Sequence, residues 1–96
     1  MNLSVTKEAA KWYKDDLELN DGDYLQFFVK LYGGIPTMHP NYFLGVEKGI
    51  DGEIYVKDVV EGITFYFNEQ DEWLIEEYDM TVDVESDGQE IKFDFQ

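Results

Sequence analysis

The chain has 96 residues, with 22 Asp or Glu against seven Lys and no Arg, for a formal charge of -15. That field repels nucleic acid and anionic membrane, and without arginine there is no bidentate fork for phosphate or guanine. The lack of cysteine removes disulfides, thiolate metal sites and cysteine nucleophiles, while 44% hydrophobic and 17% aromatic content still supply a packed core.

The length suits a single domain over residues 1–96, burying about 60–65% of its unfolded surface. The start, Met1-Asn2-Leu3-Ser4-Val5-Thr6, has neither a basic region nor a long apolar segment. No apolar run approaches the roughly 20 residues of a membrane span. A cytoplasmic location is expected.

Leu3-Ser4-Val5 reads as a short strand, and Thr6 as the N-cap of a helix from Lys7 to about Glu18. Ala9, Ala10, Tyr13 and Leu17 share one helical face, with Trp12 flanking it. Asn20-Asp21-Gly22-Asp23 turns the chain into an alternating strand, Tyr24 to Tyr32. Leu25, Phe27, Val29 and Leu31 line one face of it; the other carries Tyr24, Phe28 and Tyr32 and is too aromatic to be fully solvated, so the strand is expected to be central.

A long connection follows, with Gly33-Gly34, both prolines and the only histidine. Tyr42 to Glu47 reads as a strand with a bulge at Gly45. Asp51-Gly52 turns into Ile54-Tyr55-Val56, and Glu61-Gly62 separates Val59-Val60 from Ile63–Phe67 as a hairpin. Asn68 is a second N-cap, for a short helix to about Glu77 anchored in the core by Trp73 and Leu74. Met80, Val82 and Val84, then Ile91, Phe93 and Phe95, alternate with polar residues around Asp87-Gly88 as a terminal hairpin. The expected order, β-α-β-β-β-β-α-β-β, is a mainly β (α+β) sandwich with two short helices.

His39 has no second histidine or serine nucleophile to work with, so no catalytic residue is assigned and a loop role is preferred. Asp83, Glu85 and Asp87-Gly88 have the outline of a calcium loop, but strand-period flanks make them the solvated face of a hairpin. The acids from Glu69 to Asp79 read as an exposed, soluble helix face, with a basic partner as the alternative. Paired carboxylates for hydrolysis trail behind, because nothing in the sequence makes two of them converge.

Leu3-Ser4-Val5-Thr6-Lys7-Glu8-Ala9-Ala10, Leu25–Lys30, Gly33-Gly34, Gly62–Phe67 and Ile91–Phe95 together give the chain an end-to-end resemblance to the HesB/IscA-type family of A-type iron–sulfur carriers. The resemblance implies a HesB-like β-sandwich. It departs at the chemistry: Ile35 stands after the glycines where the family has its first cysteine, and no Cys-Gly-Cys tail follows. One histidine cannot replace three thiolates on soft iron. The chain is similar to a cysteine-free branch of that family, and no cofactor or metal is assigned.

The leading expectation is a non-catalytic HesB-like protein acting by protein–protein contact within iron–sulfur cluster assembly. A small-molecule or metal-ion binder using the 33–45 loop is the alternative. Gly33, Gly34, Ile35, Met38 and His39 are the candidate binding residues. A protein partner is expected, nucleic acid and membrane are not, and a homo-oligomer stays open.

Overall fold

The structure is a computed structural model that describes residues 2–37, 42–76 and 78–96. The elements are β1 (Leu3–Val5), α1 (Lys7–Asp16), β2 (Tyr24–Lys30), β3 (Ile35–Pro36), β4 (Phe43–Lys48), β5 (Ile54–Val60), β6 (Ile63–Asn68), α2 (Glu72–Ile75), β7 (Met80–Val84) and β8 (Ile91–Phe95). They form a five-stranded sheet in the order β3-β4-β2-β6-β5 and a three-stranded sheet in the order β1-β7-β8. Both sheets are mixed: β2 runs parallel to β6 and antiparallel to β4, while β1 runs parallel to β7 and β7 antiparallel to β8. The fold is mainly β, and β2 is central as its two-sided apolarity predicts.

Phe27 joins the layers. Fully buried on β2, its ring meets Tyr13 of α1 at 6.4 Å, Phe65 and Phe67 of β6 at 6.3 and 5.7 Å, and Phe93 of β8 at 6.0 Å. Ala9 and Ala10 are fully buried beside Tyr13; methyl-sized side chains let the helix approach closely. Thr6 caps α1 as predicted, its Oγ1 accepting the Ala9 N–H at 3.2 Å. The same hydroxyl donates to Asp83 Oδ1 at 2.9 Å, tying the helix start to β7. Asp58 of edge strand β5 accepts the Val5 N–H at 2.8 Å, so β1 is held to the larger sheet by a side chain where no ladder exists.

The β5–β6 hairpin turns on Glu61 and Gly62, with φ of 54° and 78°. Two consecutive positive-φ residues match the right-handed twist of the flanking strands. In the terminal hairpin Met80 and Val82 are buried, and Val84, Ile91 and Phe93 pack on the core with partial exposure. Glu85, Glu90 and Asp94 face water; Asp83, engaged with Thr6, is half-buried.

Four expectations need correction. The first helix ends at Asp16 rather than Glu18, which takes a positive φ of 53°. Gly45 is no bulge: it stays in register opposite Phe28, and a Cβ there would meet the Phe28 ring at 2.6 Å. The ladder irregularity lies between Ile54 and Val56. The second helix is one α-helical turn, α2, entered through a 3-10 turn at Glu69–Asp71. A two-residue strand, β3, pairs with β4 inside the connection read as irregular.

Truncating Phe27 to Ala should lower the unfolding free energy by about 3–5 kcal/mol in urea titrations. Phe93→Ala, at a half-buried position, should cost less. Equal, small effects would mean that the rings do not form one core.

Candidate protein-docking surface

Because β2 and β6 are parallel, their C-terminal ends reach the same end of the five-stranded sheet. There β6 runs into the 3-10 turn and α2, while β2 runs into Leu31-Tyr32-Gly33-Gly34. Asn68 starts the turn, its Oδ1 accepting the Gln70 N–H at 3.0 Å. Asp71, only 6% exposed, accepts the backbone N–H of Val29 and so stitches the start of α2 onto β2. Burial pushes the Asp71 carboxyl above the ordinary carboxylate range, and the bond from Val29 opposes that rise.

Large apolar side chains are left outside at this end. Leu31 and Tyr32 are 62% and 85% exposed, and Trp73 of α2 is 47% exposed. The Trp73 ring stands edge-on to Tyr42 with centroids 4.9 Å apart. Leu31 and Tyr42 are the residues one step beyond the last ladder pair of β2 and β4, Lys30 with Phe43. Glu69, Glu72 and Glu76 are exposed in the 69–76 segment that carries Trp73. After burial, the carboxylates of Glu76 and Glu72 are what raise the Tyr55 phenol, which sets these acids beside the start of β5. An aromatic centre with a charged rim is the composition of a protein-contact surface.

The glycine pair is explained by the backbone. Gly33 and Gly34 have φ of 62° and 120°, and a Cβ on Gly34 would stand 2.6 Å from the Leu44 carbonyl oxygen. Only glycine allows β3 to fold back so closely on β4. Ile35 pairs with Leu44 and packs against the core. Thr37 Oγ1 donates to the Tyr42 carbonyl at 2.8 Å, bracketing the loop. Met38 and His39 lie outside the described residues, and so does the Leu74 side chain.

Trp73 is no core anchor: a one-turn helix lets it project outward, toward Tyr42. Leu31 keeps the parity of the inward face of β2, but the ladder has ended before it. The legible signal was the adjacent Leu31-Tyr32 pair placed directly before two glycines. Elsewhere, an open groove between α1 and the β7–β8 turn is lined by Glu8, Lys11, Asp15, Asp16, Asp83 and Glu85 beside Trp12. Trp12 there packs edge-on to Tyr13 at 5.2 Å as part of the core margin, and the acids are a solvated face.

The chain is 36% identical, over the full length of both proteins, to the pyruvate dehydrogenase inhibitor of Bacillus subtilis (strain 168). The chain belongs to the family of that protein. It is also 32% identical to the uncharacterized protein SSP1406 of Staphylococcus saprophyticus, over 97% of each chain. No protein-family model matches it, and no solved structure matches it.

This overturns the HesB/IscA reading and, with it, the placement in iron–sulfur cluster assembly. The segments behind that resemblance are strand alternation, a capped helix and turn glycines, which many small mixed folds need for the same backbone reasons. The alternative, a small-molecule or metal-ion binder on the 33–45 loop, gains no support either. Among the described residues no three of His, Asp and Glu converge to hold a metal ion, and Gly33, Gly34 and Ile35 serve the β3 turn.

Gly34→Ala should destabilise by about 1–3 kcal/mol, through a strained φ and a backbone clash, whereas Gly33→Asn, in open space, should stay within about 0.5 kcal/mol. Equal effects in thermal melts would refute the close-approach argument. Asp71→Ala leaves the Val29 N–H without its acceptor and should cost about 1–3 kcal/mol; Asp71→Asn keeps an acceptor. A raised folded-state pKa means the protonated form is favoured on folding. Relative to Asp71→Asn, the wild type should therefore lose stability as pH rises from below the ordinary carboxylate range to neutrality. A constant or widening margin in favour of wild type over that range would contradict the assignment.

Proposed function

We propose that the chain is a stoichiometric protein inhibitor of pyruvate dehydrogenase, working by surface contact and without catalysis, in the cytoplasm. The observation that carries this reading is the end-to-end match to the Bacillus subtilis inhibitor, 36% identical over the full length of both chains. The exposed aromatic cluster at the end of the five-stranded sheet supports it, because Trp and Tyr are the residues that dominate protein interfaces. So does the charge of -15, which disfavours nucleic acid and anionic membrane as partners. Among the described residues no helix is long and apolar enough to cross a membrane.

In this reading residues 1–96 act as one domain. Gly33, Gly34 and Ile35 hold the turn that opens the 33–45 loop, and Met38 and His39 are kept as proposed contact residues. A homo-oligomer is not required.

The test is a titration of purified pyruvate dehydrogenase complex with the chain, following acetyl-CoA formation. Activity should fall in proportion to added protein, reach its floor at a fixed mole ratio, and recover on dilution. Undiminished activity at a large molar excess would sink the reading. So would inhibition that grows with incubation time at substoichiometric amounts, which would indicate a catalyst.

A further inference from the structure

We propose that the end of the five-stranded sheet is the inhibitory docking face, and that it takes an apolar pocket ringed by lysine or arginine on pyruvate dehydrogenase. The inference rests on the reading of the chain as a pyruvate dehydrogenase inhibitor, and it names the face and the chemistry of its counterpart. Leu31, Tyr32 and Trp73 supply the apolar centre. Each is large and at least 47% exposed, and the Tyr42 ring buttresses Trp73 at 4.9 Å.

The face is also tied to the sheet by hydrogen bonds, and such bonds limit the entropy lost on docking. Asp71 bonds to Val29 immediately before α2, and Thr37 ties the loop to Tyr42. The other exposed large apolar residues among those described are scattered: Ile50 lies in the β4–β5 connection next to Gly49, which bonds Tyr24 at the start of β2, and Val59 stands on edge strand β5. Single exposed apolar residues of that kind need no partner.

Charge selects the occupant. Glu69, Glu72 and Glu76 are exposed in the same 69–76 segment as Trp73, on a chain of formal charge -15. A second copy docking here would bring two acidic rims together in an already repulsive field, whereas a basic rim would be attracted and steered. Acids at the margin act mainly on the association rate and are screened by salt over about 8 Å at physiological ionic strength. The aromatic centre governs how long the complex lasts.

Binding to immobilised pyruvate dehydrogenase complex, read alongside inhibition, separates the possibilities. Trp73→Ala and Tyr32→Ala should each weaken binding at least tenfold, mainly through faster dissociation, with thermal midpoints near wild type because both residues are exposed. Glu72→Lys should slow association, while Glu85→Lys, the same change of net charge placed in the groove beside α1, should leave binding within twofold. Rising salt should weaken the wild-type complex.

Wild-type inhibition with Trp73→Ala and Tyr32→Ala binding unchanged would overturn the docking face and leave the function standing. Equal effects of Glu72→Lys and Glu85→Lys would replace the basic ring with nonspecific attraction. A concentration-dependent dimer abolished by Trp73→Ala would make a second copy the occupant and overturn the proposal. Wild type that neither binds nor inhibits would remove the functional reading itself, and the docking face with it.

Discussion

The fold depends on one ring. Phe27 is the point at which the helix, the five-stranded sheet and the terminal hairpin touch, through Tyr13, Phe65, Phe67 and Phe93. A chain of this length has room for one core, and large aromatics gain most of its buried area with the fewest residues. Packing three layers around a single side chain also explains why the elements can be so short. The β1 strand has three residues and depends on Asp58 as well as on β7. The α2 turn has four and depends on Asp71. In both cases a carboxylate supplies the acceptor that a longer ladder would otherwise provide.

That economy has a consequence at the surface. The β2–β6 ladder ends at Gln26 and Tyr66 while β2 goes on beside β4, and past Asn68 the chain continues as a 3-10 turn and one helical turn. A single turn cannot bury a whole face, so Trp73 projects toward Tyr42 instead of into the core. Leu31 and Tyr32 overrun the ladder in the same region. The exposure of these side chains thus follows from where the strands stop, and the Asp71–Val29 bond ties the start of α2 to β2. The proposed contact with a partner needs such a place, since surface charge alone attracts without specifying.

Much of the scaffold was legible from residue chemistry. Thr6 and Asn68 as caps, Glu61-Gly62 as a hairpin turn, and the alternation from Met80 to Phe95 are local signals that tertiary contacts did not override. The errors share a physical origin too. Alternation continued past the end of β2, so Leu31 was read as inward although no neighbour strand remained to cover it. Trp73 was read as a core anchor because hydrophobicity does not say how long a helix will be. The backbone reason for the second glycine was not legible, because a Cβ on Gly34 would meet the carbonyl oxygen of Leu44, ten residues further along the chain. The identity of the relatives was not legible at all, since capped helices and turn glycines describe a backbone and name no partner.

Hydrogen–deuterium exchange of the chain, alone and bound to pyruvate dehydrogenase complex, tests the central claim most directly. The account predicts slowed exchange in residues 31–36 and 69–76, with residues 8–16 and 83–89 unchanged. Protection confined to the α1 groove, or none at the end of the five-stranded sheet, would contradict it.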